Sequence, residues 1–176
     1  MGHKIILCGG NGAGKTTLGK ALASATGWPF RDVEDYYFPE THADYKFSTC
    51  RSSQEVSRLL KADLEAHENL IFASVRCKAD VDVSNLFTCA VLVQTPREIR
   101  MQRVHQRSFQ KFGQRMLEGG DLFVQEKAFF DMVKGRSEDY VSQWLSGLSL
   151  PVLRVDGTAP PQENIGRILQ FLKESE

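Results

Sequence analysis

A glycine-rich loop between an apolar run and a helical run constrains this chain more than any other stretch. Residues 9–16 read GGNGAGKT and satisfy the pattern G-x-x-x-x-G-K-[ST]. The apolar residues 5–8 before the loop predict a buried strand, and residues 17–23 after it predict the start of a helix. A strand, loop and helix in this order are typical of an α/β fold in which ligands bind at the carboxyl ends of parallel strands.

The residue types in the loop suit the binding of a triphosphate. Glycine lacks a Cβ atom, so the backbone can turn tightly and direct its N–H groups at phosphate oxygens. The helix that follows adds the positive end of its dipole, Lys15 can reach the β- and γ-phosphates, and Thr16 can bind Mg²⁺ through its hydroxyl. The sequence therefore predicts ATP and Mg²⁺ as ligands. The predicted nucleotide-binding residues of the loop are Gly9, Gly10, Asn11, Gly12, Ala13, Gly14, Lys15, Thr16 and Thr17.

Strand and helix patterns alternate along the whole chain. Apolar stretches predict strands at residues 5–8, 70–73, 89–93 and 151–155, and a short strand at about 30–33 follows the helix stop at residues 27–29. Helices are predicted between the strands and after the last one. This order predicts a three-layer α/β/α fold around a mainly parallel five-stranded sheet. One helix is expected from residue 96 to about Arg107, and one long helix over much of 122–145.

The length of 176 residues predicts one domain, because two ordinary domains need a longer chain. Two irregular, turn-rich segments interrupt the pattern. We interpret residues 35–53 as an insertion on the acceptor side of the site, and residues 108–121 as a lid.

Composition excludes several classes of protein. The formal net charge is zero, which argues against nucleic acid as a partner. No apolar run approaches the roughly 18 residues of a membrane span, and no leader for export precedes the first strand, so we expect a cytoplasmic protein. The four cysteines lack metal-binding spacing and are expected to be reduced, buried or half-buried thiols. The oligomeric state stays open.

The end of the predicted second strand delivers three acids, namely Asp32, Glu34 and Asp35. A carboxylate at this strand end can orient an acceptor hydroxyl, take its proton or bind Mg²⁺. We favour Asp35 for the base and for the metal, although the pattern allows any of the three. Neighbouring aromatic residues suit either an acceptor pocket or core packing.

A basic helix is predicted after the fourth strand. Arg97, Arg100, Arg103 and Arg107 recur every three or four residues, so they share one side of this helix. Their repulsion would be relieved by an anionic ligand, such as a phosphoryl group in transfer. We interpret Arg97 and Arg100 as a solvated face, and Arg103, Arg107 and Arg115 as functional residues.

The order of these motifs resembles adenylate kinase and related nucleoside-monophosphate kinases. It comprises the glycine-rich loop, Arg103-x3-Arg107, Arg136 before Glu138 and Asp139, and the Val-Asp-Gly-Thr segment 155–158. The resemblance implies a P-loop NTPase fold in which Arg103 packs on the adenine of ATP and Arg107 meets its phosphates. It also implies that Arg115 is a lid arginine and that Arg136 lies near the transferred phosphate. Gly157 and Thr158 would contact the adenine through their backbone.

The acceptor side departs from that family. Adenylate kinases carry Asp-Gly-Phe-Pro-Arg after the third strand, whereas residues 73–77 here are Ala-Ser-Val-Arg-Cys. The segment around Asp35 looks closer to nucleoside, shikimate or gluconate kinases, whose acceptor is a hydroxyl. We therefore expect an ATP- and Mg²⁺-dependent phosphotransferase that acts on a small molecule, either a nucleotide or nucleoside or another hydroxyl compound. The alternative is an ATP-binding regulatory protein or weak ATPase that acts through a protein partner.

Overall fold

The fold is seen in a computed structural model, which describes residues 2–39, 45, 47, 49–77 and 81–174. Within these residues, five strands form one sheet in which every neighbouring pair is parallel, in the order β2-β3-β1-β4-β5. The strands are β1 (Lys4–Cys8), β2 (Phe30–Asp32), β3 (Leu70–Ala73), β4 (Cys89–Gln94) and β5 (Val152–Asp156). The predicted three-layer α/β fold is confirmed, and its sheet is parallel throughout.

Helices cover both faces of the sheet. They are α1 (Lys15–Thr26), α2 (Val33–Tyr37), α3 (Ser53–Ala66), α4 (Val81–Ser84), α5 (Arg97–Phe112), α6 (Phe123–Gly135), α7 (Tyr140–Ser146) and α8 (Pro161–Glu174). Because successive side chains of a strand point to opposite faces, Ile6 and Leu7 enter different cores. The core around Ile6 includes Leu60 of α3, and the core around Leu7 includes Ile168 of α8. Burial on both faces explains the continuous apolar runs of β1, β3 and β4.

Two helix boundaries differ from the sequence prediction. Helix α5 continues to Phe112, five residues past Arg107, and ends at Gly113, whose φ of 55° lies in the region that glycine favours. The predicted long helix over 122–145 is two helices, α6 and α7. The break occurs at Arg136, which has an extended backbone (φ −71°, ψ 133°) and a side chain directed at the glycine-rich loop.

The two predicted insertions are partly described. Residues 40–44, 46 and 48 of the acceptor-side segment lie outside the described residues. Where the chain returns, the Arg51 N–H donates to Tyr37 O at 2.8 Å and its guanidinium donates to Tyr36 O at 2.9 Å, which fixes it against α2. The proposed lid consists of the end of α5, a 3-10 helix (Gly113–Met116) and a turn that leads to α6.

No helix in the described part of the chain has the length and apolar character that a membrane crossing requires. The four cysteines are free thiols, of which Cys8, Cys77 and Cys89 are buried. Cys50 is exposed, in contrast to the expectation that each would be at least half-buried.

Candidate active site

The glycine-rich loop connects β1 to α1 at the carboxyl edge of the sheet, between the ends of β3 and β4. The Gly9 N–H donates to Val75 O at 3.3 Å, just after β3. Gly12 shows most clearly why this loop needs glycine. Its φ is 78°, and a Cβ atom there would lie 2.3 Å from the backbone oxygen of Arg100. Any side chain at this position would therefore be strained and would collide with α5.

Lys15 lies at the first turn of α1, half-buried under the loop, and its Nζ donates to Gly10 O at 3.0 Å. Burial lowers the pKa of Lys15 to about 8, although the nearby charge of Asp32 opposes this shift. An anionic phosphate beside Nζ would favour the protonated lysine. Thr17, which follows on α1, is exposed.

The acid that contacts the loop is Asp32. The Thr16 hydroxyl donates to Asp32 Oδ2 at 2.7 Å, and Asp32 Oδ1 accepts from the Glu34 N–H at 3.0 Å. This second bond caps α2 and fixes the carboxylate toward Thr16. Asp35, which the sequence analysis favoured, lies on α2 and is exposed. Strand β2 ends at Asp32, one residue earlier than predicted. Asp32, the first of the three acids, is therefore the last residue of the strand, and its side chain lies beside Thr16.

Arg103, which was predicted to pack on adenine, lies on α5 beside the glycine-rich loop. Its guanidinium donates to Gly157 O at 3.0 Å and to Gly12 O at 3.4 Å, so it joins the glycine-rich loop to the turn after β5. In that turn, the Thr158 N–H and hydroxyl both donate to Asp156 Oδ1, at 2.8 and 2.7 Å. The structure therefore brings Arg103, Gly157 and Gly14 together, since the Gly14 Cβ position would be 3.7 Å from both Arg103 Nη1 and Gly157 O.

Arg100 is not part of a solvated face, and that prediction is wrong. Its side chain is half-buried, its Nε donates to Thr95 O at 3.0 Å, and a Cβ on Gly10 would lie 2.3 Å from its Nη1. Desolvation lowers the pKa of Arg100. Gly10 was the available signal in the sequence, because a glycine often marks a place where another group packs closely against the backbone.

Three other predicted arginines have different surroundings. Arg136 donates to Asn11 Oδ1 of the loop, and its guanidinium lies 5.4 Å from the centroid of the Tyr140 ring. Arg107 lines the cleft beside the loop together with Arg136. Arg115 forms an exposed ion pair with Asp121 at 2.7 Å on the proposed lid.

A cleft of about 710 Å³ opens beside the loop, with Asn11 and Arg136 at their junction. It extends over β3, α2, the end of α5 and α6. Sequence reasoning did not identify two of its residues, Arg76 and Glu126. The guanidinium of Arg76 lies 4.4 Å from the centroid of the Tyr140 ring, and Glu126 is fully buried. No spacing in the sequence relates Glu126 to the loop, because its contact with the cleft depends on how α6 packs.

Comparison with known proteins shows that most of this chain matches one family. Residues 5–118 match a family described as an AAA domain. The chain belongs to this AAA domain family. A relative in Bacillus subtilis (strain 168), the uncharacterized protein YqaC, is 28% identical over 183 residues, which cover 99% of this chain and all of YqaC.

This AAA domain chain also resembles solved structures of kinases. Deoxyadenosine kinase from M. mycoides with bound dATP superposes with a TM-score of 0.62 at 15% identity, over 97% of this chain and 99% of that one. Shikimate kinase from Bacteroides thetaiotaomicron superposes with a TM-score of 0.61 at 18% identity, over 98% and 99% of the two chains. At this identity the likeness shows the fold. The fold is that of P-loop kinases, and the resemblance to nucleoside-monophosphate kinase-like proteins is confirmed.

Proposed function

We propose that this protein transfers the γ-phosphoryl group of Mg·ATP to a small-molecule acceptor, in which a hydroxyl is the attacking group. The observation that carries the proposal is the junction at Asn11 and Arg136, where the phosphate-binding loop meets the cleft of about 710 Å³. A kinase needs a cavity for its acceptor beside the phosphates, and this cleft has the size of a small-molecule site.

The donor side follows from the loop and its neighbours. The loop amides and Lys15 would bind the β- and γ-phosphates, with the positive end of α1 directed at them. Arg103 and the backbone of Gly157 would flank the adenine, because they meet beside the loop and neither lines the large cleft. The half-buried Lys15 would exchange its contact with Gly10 O for phosphate oxygens.

The oxygens of Thr16 and Asp32 fit a magnesium ion. Hydroxyl and carboxylate oxygens are the hard ligands that Mg²⁺ prefers, and the Thr16 and Asp32 oxygens lie 2.7 Å apart. Bound Mg²⁺ would neutralise charge on the phosphates. Asp32 therefore takes the metal role that the sequence analysis gave to Asp35, and it would bind the ion directly or through water.

The cleft supplies groups for transfer. Glu34 lines the cleft next to Asp32 and can accept the proton of an acceptor hydroxyl. Arg107 and Arg136 would stabilise the charge that develops on the phosphoryl group. Arg115 would join them when residues 108–121 close over the site and exclude water.

The test is a screen for acceptor-stimulated ADP formation. Purified protein with Mg·ATP is incubated with pooled nucleosides, nucleoside monophosphates, sugars and hydroxy acids, against a blank without acceptor. We expect one pool to raise turnover, and we expect Lys15→Ala to abolish it with the fold intact. Lys20→Ala is the matched control, because Lys20 is exposed on the same helix.

Two results would contradict the proposal. Full turnover by Lys15→Ala would show that Lys15 of the glycine-rich loop takes no part in the reaction. Tight ATP binding that no acceptor pool converts into turnover would favour the regulatory protein instead.

A further inference from the structure

The cleft contains a buried acid that the proposed transfer does not use. Glu126 on α6 is 2% exposed and lines the cleft. Its Oε1 accepts a hydrogen bond from the Tyr45 hydroxyl at 2.8 Å. Its Oε2 is also buried but accepts no hydrogen bond from any residue that the structure describes. A buried carboxylate oxygen without a partner is unfavourable in the unliganded protein, so this atom is ready to accept a hydrogen bond from a ligand.

The surroundings of Glu126 are aromatic. The Tyr45 ring centroid lies 5.4 Å from that of Phe112 and 5.3 Å from that of Phe47. The ammonium of Lys111 lies 4.7 Å from the Phe47 centroid, on the face of that ring. Within the described ranges, the ion pairs do not include Glu126. Among the residues that the structure describes, the Glu126 carboxylate therefore has no cation at ion-pair distance.

Glu126 lies at the end of the cleft remote from the glycine-rich loop. Arg103 of α5 contacts the loop, and the helix runs from there past Arg107 to Phe112. Phe112 is thus about 7.5 Å beyond Arg107 along the helix axis, at 1.5 Å per residue. Because Tyr45 contacts Phe112 and Glu126 together, an acceptor with its reactive group at the loop would have its opposite end at Glu126.

We propose that Glu126 and Tyr45 bind the end of the acceptor opposite the phosphorylated group, and that this end carries a hydroxyl or amine donor and no negative charge. The inference rests on the proposed function, because it concerns the acceptor of that reaction. A hydroxyl or amine would donate to Oε2 and pack against the aromatic rings. A phosphate or carboxylate at this end would meet a buried like charge and bind poorly.

The test measures binding to the full chain by calorimetry, with nucleosides, hexoses and amino alcohols as probes, each beside its monophosphate. We expect at least one uncharged or amine-bearing probe to bind. Glu126→Gln should weaken the affinity for that probe at least tenfold, because the amide offers a weaker acceptor than the carboxylate. The affinity for ATP should change less than twofold. Glu163→Gln, at an exposed site on α8, should behave as the unmodified protein does.

The melting temperature of the unliganded protein separates binding from a structural role. Glu126→Gln should keep or raise the melting temperature, because a neutral amide costs less to bury than a carboxylate and its oxygen can still accept from the Tyr45 hydroxyl. A fall of several degrees would make the carboxylate structural and would overturn the inference. The inference would also be overturned if no uncharged or amine-bearing probe bound. The same holds if the tightest-binding probe had equal affinity for the unmodified protein and for Glu126→Gln.

Failure of the inference is distinguishable from failure of the proposed function. If probes bind through Glu126 but no compound of the panel is phosphorylated by Mg·ATP, the kinase is contradicted while the ligand site at Glu126 stands. An acceptor that is phosphorylated, but binds equally well to Glu126→Gln, would support the kinase and overturn the site.

Discussion

Among single residues, Asp32 and Asp35 differ in whether their positions suit a magnesium ligand beside Thr16. Asp32 accepts from the Thr16 hydroxyl at 2.7 Å, whereas Asp35 is exposed on α2. Asp32→Asn removes the charge that would bind Mg²⁺ beside Thr16, so we expect turnover to fall by about 10²-fold or more. Asp35→Asn, the matched control three residues further along on α2, should stay within about threefold. Steady-state kinetics over a Mg²⁺ titration measures both, and the reverse ranking would restore Asp35 as the functional acid.

Lys15 predicts how nucleotide affinity depends on pH. The pKa of Lys15 is about 8 in the unliganded protein, and bound phosphates would raise it. Binding is therefore strongest below about pH 8 and weakens as pH rises above that value, by up to about tenfold per pH unit. Calorimetric ATP titrations between about pH 7.5 and 9.5 at constant ionic strength measure the effect. Lys15→Arg, which stays charged, should lose the pH dependence, and a flat profile in the unmodified protein would contradict the prediction.

At the level of elements, the glycine-rich loop packs closely against α5, so a substitution of Gly12 in this contact should have the opposite effect to one at an uncrowded glycine. Gly12 has a φ of 78° and its Cβ would lie 2.3 Å from Arg100 O, so Gly12→Ala should destabilise the fold by at least about 1–3 kcal/mol. Gly166 lies inside α8 with open space around it, so Gly166→Ala should stabilise by about 0.5–1 kcal/mol. Urea unfolding compares the two, and equal effects would show that the contact with α5 carries no strain.

The elements also show what the sequence could predict. Strands β1, β3 and β4 were predictable because burial on both faces produces uninterrupted apolar runs. Gly9 to Thr16 were predictable because phosphate binding requires those residue types in order. The break between α6 and α7 was not, since Arg136 ends the helix to reach Asn11, a contact 125 residues away in sequence. The same limit applies to Glu126, whose burial depends on tertiary packing alone.

For the whole molecule, the proposed nucleotide site lies where several elements meet. Arg103 joins α5 to the loop and to the turn after β5, and Arg136 joins the α6–α7 junction to Asn11. A ligand that contacts all of these binds only the folded chain, so Mg·ATP at 100 times its Kd should add about 2.7 kcal/mol of stability. For a chain of this size that corresponds to a rise of about 5–10 °C in the melting temperature. Differential scanning calorimetry should show the rise in Lys20→Ala and lose it in Lys15→Ala. An equal rise in both variants would mean that the nucleotide stabilises the fold at a site other than the glycine-rich loop.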